Sequence, residues 1–306
     1  MKLLVLRLCL IVLTALTVAA QATSSSPLPV VNAVQTTAKT FQLNSKLMTR
    51  QIPYAVVLPQ NYESDKQVRF PVIYLLHGLG GSYKNFVDDP KRLAYYAQHR
   101  FIVVSVEGGS GFYTDSATKP NDKYETYIIN ELIPEIDKNY RTVTDRSGRA
   151  VAGMSMGGYG ALKFGIKYPQ MFALAAAWSG GIPSASWHKA SDLPPIPEIV
   201  QPLTAAFGDG TDPAPLTAND LFRLFRDYPA GKITALPFFY LDCGTGDELG
   251  LLKPNQQLAE ILVSRQIPHE FRQLPGGHAL QGYRIGDVFN LSERIFSAQK
   301  VVSGKQ

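Results

Sequence analysis

Only two cysteines, Cys9 and Cys243, occur in the 306 residues, which excludes a disulfide-stapled scaffold. Histidine is scarce too, with five copies, and neither His nor Cys recurs at the spacing of a metal site. No Walker loop, convincing dinucleotide fingerprint or internal repeat is present. Gly108-Gly109-Ser110-Gly111 is glycine-rich after a strand, but it runs into Phe112-Tyr113-Thr114-Asp115 rather than a helix. No cofactor and no metal are expected. Runs of like charge are missing as well. Lys and Arg (30) are interspersed with Asp and Glu (25), for a formal charge of +5, so there is no nucleic-acid footprint. No apolar run reaches the roughly 20 residues that span a bilayer, and stable membrane insertion is not expected.

The apolar run that does occur, Leu8 to Leu16, follows Lys2 and Arg7 and precedes Ala20-Gln21-Ala22. That pattern predicts a secretory signal over 1–22, hence a secreted or periplasmic protein. Removing it takes the formal charge to +3 and leaves Cys243 without a partner. The fold must then be held by its core. Residues 23–40 read as a flexible segment, and 41–300 as one domain. Within it, continuous apolar runs at Pro71–Leu76 and Phe101–Val106 predict strands buried on both faces of a parallel sheet. Phe41–Met48, Ile52–Leu58, Phe172–Trp178, Ala235–Asp242 and His269–Leu274 supply further strands. Helices are expected over Asn85–His99, over Asn121–Asn139 with a kink at Pro134, around Leu258-Ile261-Leu262, and from Ala279 to Phe296. Strands alternating with helices mean an α/β fold, a mostly parallel sheet covered on both faces. Ile182 to Lys232 (182–232) breaks the rhythm with repeated prolines. It reads as an insertion capping the active edge, with only Asn219 to Asp227 helical.

The chemistry gathers at Gly153-Met154-Ser155-Met156-Gly157-Gly158-Tyr159-Gly160. An apolar strand precedes it and a helix stopped by Pro169 follows, the setting of a nucleophile elbow. Ser155 is the expected nucleophile. A serine hydroxyl needs a base, and His278, after Pro275-Gly276-Gly277 and the last strand, stands where that base belongs. The acid should lie between them, and Asp242, Asp247 and Glu248 are all candidates. Asp247, past the Gly244-Thr245-Gly246 turn, is best placed to reach the imidazole. Oxyanion donors are expected from the backbone N–H of Met156 and of Leu79, in His77-Gly78-Leu79-Gly80-Gly81; His77 should order that loop. Tyr113 and Tyr159 are expected at the substrate pocket, although the 112–115 loop reads equally well as a packed corner. Cys243 reads as a packing residue.

Together His77-Gly78-Leu79-Gly80-Gly81, Tyr113-Thr114-Asp115, Tyr124-Glu125-Thr126, the Ser155 elbow through Leu162, Cys243-Gly244-Thr245-Gly246-Asp247 and Gly276-Gly277-His278 resemble the esterase family of α/β-hydrolases. That family includes S-formylglutathione hydrolase (esterase D), tributyrin-type esterases, feruloyl and acetyl-xylan esterases, and mycolyltransferases. The resemblance runs from about Phe41 to Phe296. It implies the α/β-hydrolase fold, Ser155, Asp247 and His278 as a triad, and Leu79 with Met156 as oxyanion donors. The sequence departs from the family after the histidine, where His278-Ala279-Leu280-Gln281-Gly282-Tyr283 lacks the aromatic residue that often follows closely. The expected function is a secreted serine carboxylesterase acting through an acyl-enzyme on short-chain or aromatic acyl esters. Its substrate would be a small molecule or carbohydrate-linked. The alternatives are an acyltransferase passing the acyl group to a sugar or lipid hydroxyl, and a non-catalytic surface-binding module.

Overall fold

The computed structural model describes residues 37–193 and 196–303. The expected leader and the segment up to residue 36 lie outside the described residues. Strand β1 (Lys39–Ser45) begins two residues before Phe41 and returns through a turn at Thr49 into β2 (Arg50–Val57). Then come β3 (Val72–Leu76), α1 (Pro90–Gln98) and β4 (Ile102–Val106), followed by α2 (Tyr124–Tyr127) and α3 (Ile133–Asn139). The elbow pair is β5 (Arg149–Met154) with α4 (Met156–Lys167), and β6 (Leu174–Trp178) follows. The insertion carries α5 (Pro197–Phe207), α6 (Ala214–Asn219) and α7 (Leu221–Arg226). The chain closes with β7 (Phe238–Gly244), α8 (Leu252–Ser264), β8 (His269–Leu274) and α9 (Gly282–Ser303).

Within the described residues the strands form one sheet in the order β1-β2-β4-β3-β5-β6-β7-β8. Pairing is parallel from β4 through β8 and antiparallel at β1, β2 and β4. All five residues of β3 are buried. Val72, Tyr74 and Leu76 enter the core on one face, Ile73 and Leu75 the core on the other, as the two-residue strand period requires. At about 2 kcal/mol per fully buried apolar side chain, this strand alone supplies on the order of 10 kcal/mol against the entropy of ordering it. No helix among the described residues is long and apolar enough to cross a membrane.

Two expectations change. The expected helix runs unbroken from Tyr124 to Asn139, but its geometry changes just before Pro134. A π-type turn over Ile128–Leu132 precedes it, with the Ile133 N–H bonded to the Ile128 carbonyl five residues back. That turn absorbs the missing N–H and the ring clash a proline brings. The insertion is also more helical than its prolines suggest. Pro197 sits in the first turn of α5, where no N–H is needed, and Pro202 lies inside it. Burial of Leu203, Ala206 and Phe207 overrides the bond lost at Pro202. Phe207 packs edge-on to Tyr159, centroids 6.0 Å apart, and lies 5.8 Å from Phe112. Ile182, Trp187, Leu221 and Phe225 join the same core, so the insertion is built into the domain.

A buried ionic cluster fixes α4. Lys163 Nζ lies 2.9 Å and Lys167 Nζ 2.6 Å from the two oxygens of Glu125 on α2. Burial opposes ionisation of Glu125, but the two ammonium groups outweigh it and hold its carboxyl down to about 2. Lys163 is fully enclosed and faces one carboxylate with Lys167 close by, so burial pulls it down to about 8. Both partners remain charged at neutral pH.

Candidate active site

Every parallel strand ends at one edge of the sheet, and the expected functional residues leave it there. Ser155 follows β5 directly, at φ 55° and ψ −117°, a strained conformation for a residue with a side chain. Its neighbours enforce it: the Ser155 N–H donates to the Trp178 carbonyl (2.9 Å), and its own carbonyl accepts from Gly181 (2.9 Å) and Tyr159 (3.0 Å). The turn requires glycine at two points. A Cβ on Gly157 would stand 2.0 Å from the Leu76 oxygen, and one on Gly153 2.3 Å from the Gly157 backbone. Nothing larger lets α4 start this close to β3.

Tyr159 is the first residue of α4 to bond back to Ser155, so the N–H groups of Met156, Gly157 and Gly158 have no intrahelical acceptor. Across from them lies the loop after β3. A Cβ on Gly78 would come 3.4 Å from Ser155 Cβ, and among the described residues the Leu79 N–H makes no hydrogen bond. His77 orders this loop as expected. Its Nδ1 donates to the Gly78 carbonyl (2.8 Å), and its Nε2 accepts from the Gly108 N–H (3.0 Å). Glu107 Oε1 is 3.4 Å from that Nε2. The shorter Gly108 bond occupies the nitrogen's lone pair, so the ring proton sits on Nδ1. Glu107, which the sequence did not single out, accepts from the N–H groups of Tyr83 (3.1 Å) and Gly109 (2.8 Å) and braces the same corner.

The three candidate carboxylates separate cleanly. Asp247 Oδ2 lies 2.9 Å from His278 Nδ1, and its side chain is inaccessible to solvent. That burial opposes ionisation. The His278 contact and the N–H groups of Leu251 and Leu249 outweigh it and hold the carboxyl below the usual range. Glu248, on the surface, accepts instead from the His278 backbone N–H at 2.9 Å. Asp242 turns inward, where burial pushes its carboxyl up against the pull of Arg284. Burial and the neighbouring Asp247 charge push the Cys243 thiol up to about 12. It stays protonated, with Sγ 3.6 Å from Asp247 Oδ2. The Ser155 hydroxyl makes no hydrogen bond to His278 here. Such contacts are often long without substrate and tighten on binding.

The two tyrosines expected at the pocket lie elsewhere. Tyr113 is fully buried, its hydroxyl donating to the His77 carbonyl (2.9 Å) and its ring filling the space left by Gly160. Tyr159 is fully buried too, donating to the Asn219 carbonyl (2.8 Å). Both rings are large enough to fill the core behind the site, and both hydroxyls find partners there. They therefore support the loop after β3 and the insertion from behind. Three of the cavities on the described surface are lined by neither Ser155 nor His278. One of about 610 Å³ and its 210 Å³ neighbour share Lys119, Gln201 and Ala205, and lie between α5 and the loop after β4.

The chain matches the sequence profile of the family described as "Putative esterase" over residues 45–285. Esterase Rv1288 of Mycobacterium tuberculosis is 33% identical over 255 residues, covering 77% of this chain and 53% of that protein. The chain thus spans about half the length of this curated relative. An endo-1,4-beta-xylanase/feruloyl esterase of Xylanibacter ruminicola is 36% identical over 138 residues, 41% of this chain and 19% of that protein. Among solved structures, a ferulic acid esterase superposes with a TM-score of 0.69 at 26% identity, covering 86% of this chain and 99% of that one. The architecture is the α/β-hydrolase fold.

Proposed function

The chain belongs to the esterase family, and from that premise we propose that it is a secreted serine carboxylesterase. The observation that carries the reading is the Asp247–His278 contact, held at the sheet edge where strained Ser155 faces free backbone N–H groups. Asp247 fixes the Nδ1–H tautomer of His278, leaving the Nε2 lone pair to accept the Ser155 proton. Ser155 Oγ attacks the ester carbonyl. The N–H groups of Met156 and Leu79 take the developing oxyanion. The C–O bond to the alcohol then breaks, with His278 returning the proton to the leaving oxygen. Water repeats the sequence on the acyl-enzyme and releases the acid. Each proton moves through His278, so no cofactor enters.

Short-chain or aromatic acyl groups suit this site best. Phe207 of α5 is committed to the core against Tyr159 and Phe112, which takes that side of the helix out of use as a lid for a long acyl chain. Relatives named as feruloyl and ferulic acid esterases support an aromatic acyl group. A relative named as both endo-1,4-beta-xylanase and feruloyl esterase supports a carbohydrate-linked alcohol.

The test is a fluorophosphonate probe followed by a p-nitrophenyl ester series from acetate to palmitate, with and without added glycerol. Wild type should label, turn over short esters fastest and release free acid; Ser155→Ala should do neither. A labelled Ser155→Ala, or fastest turnover at palmitate, refutes the reading. Acyl product found mainly on glycerol would make the protein an acyltransferase.

A further inference from the structure

Arg284, near the start of α9, is 2% exposed and plays no part in the chemistry above. Its Nε donates to Asp242 Oδ1 (3.1 Å), and one terminal nitrogen donates to the same oxygen and to Ser179 Oγ (2.9 Å). The other terminal nitrogen donates to the Ala279 carbonyl (3.2 Å). We propose that Arg284 is a positioning residue that fastens the His278 loop to the acid strand and to the elbow. The proposal rests on the triad reading.

Each partner of the guanidinium belongs to a segment carrying one functional group. Ala279 is the residue after His278. Asp242 lies two residues before the end of β7 at Gly244 and five before Asp247, and the Tyr240 hydroxyl donates to its second oxygen at 3.1 Å. Ser179 follows Trp178, whose carbonyl accepts the Ser155 N–H, and Ser179 itself stands at φ 44° with its N–H on the Asp242 carbonyl. The Trp178 indole closes the ring by donating to the Arg284 carbonyl at 3.0 Å.

His278 needs this support because it lies on an irregular loop after Gly276-Gly277. The loop's other tethers are Gly246 to the Gly276 carbonyl, Glu248 to the His278 N–H and Asp247 to the ring. All of them hold its first half or the imidazole. Arg284 holds the second half. A buried ion pair is a poor device for stability alone, since apolar residues of similar size often serve as well or better. A planar fork that reaches three segments at fixed angles is a device for geometry.

The test uses Arg284→Met/Asp242→Asn, which removes both charges together, and Arg284→Lys, which keeps the charge but loses the fork. Urea unfolding establishes that each is folded. With p-nitrophenyl acetate, the double variant should lose about 100-fold in kcat, the scale of an ångström-level misplacement, with KM near wild type. Arg284→Lys should fall between. The far-downfield proton NMR signal of His278 Nδ1–H should weaken in the same order. A folded variant with wild-type kcat and an unchanged Nδ1 signal overturns the proposal, as does a rise confined to KM. Ser155→Ala and His278→Ala run in parallel. If those stay active the triad reading itself has failed; if they are dead while both Arg284 variants are fully active, only this inference fails.

Discussion

Asp247→Asn isolates the tautomer argument, because the structure dictates how an amide would sit. Oδ1 of Asp247 accepts two backbone N–H groups, from Leu249 at 3.0 Å and Leu251 at 3.3 Å. Those donors demand an oxygen, so the asparagine must keep its carbonyl there. Its NH₂ then takes the place of Oδ2, facing His278 Nδ1 at about the present 2.9 Å. An amide N–H can only donate to Nδ1, which moves the ring proton to Nε2. The imidazole then presents a donor to Ser155 where the proposed mechanism needs an acceptor. Loss of the correct tautomer costs about 10⁴ in kcat, equivalent to about 5.4 kcal/mol at 1.36 kcal/mol per decade. The assay is steady-state hydrolysis of p-nitrophenyl acetate, with Glu248→Gln and Asp242→Asn as comparators. Glu248→Gln keeps an acceptor for the His278 N–H and should change little. Asp242→Asn leaves Arg284 buried without its counter-charge and should act mainly on stability, by about 3–5 kcal/mol. An Asp247→Asn enzyme that kept a tenth of wild-type kcat, or one less impaired than Glu248→Gln, would refute the reasoning.

Gly157→Ala should fail to fold or lose more than about 4 kcal/mol, since its Cβ would meet the Leu76 oxygen at 2.0 Å and no rotamer relieves a backbone clash; a wild-type urea midpoint would count against the packing described. Acid stability should depend on Glu125. Its folded value of about 2 lies below its ordinary 4.5, so its contribution is complete above the ordinary value and is lost as pH falls through the folded one. Urea midpoints over that window should fall further for wild type than for Glu125→Gln, and parallel curves would contradict the sign. N-terminal sequencing of exported protein should begin near Thr23, as the 1–22 pattern predicts; an intact Met1 on soluble cytosolic protein would remove the proposal of secretion.

Much of this protein follows from local sequence. A continuous apolar run such as Val72–Leu76 can only be a strand covered on both faces, and His269–Leu274 has the bounds read from its residues. The elbow is legible because its physics is short-ranged: a strand, small residues that permit the strained Ser155, and a helix that must start at once. Tertiary structure decided the rest. Local propensity argues against α5 at Pro202, inside the helix, and the burial of Leu203, Ala206 and Phe207 overrides it. The sequence offers Asp242, Asp247 and Glu248 as candidate acids and favours Asp247 only by its place past the Gly244-Thr245-Gly246 turn. Their roles divide where β7 meets a loop 31 residues downstream, and one faces Arg284, one the imidazole and one a backbone N–H. Tyr113 and Tyr159 carry no mark of their inward direction, which the small residue at Gly160 and the insertion's Asn219 impose. Arg284 goes unmarked in the sequence, because nothing near it announces the three distant segments it joins. The sequence by itself determined which chemistry this chain could carry, since strand, turn and helix are set by neighbours a few residues away. Which side chains carry it was decided by long-range packing, which brings together groups that no local rule relates.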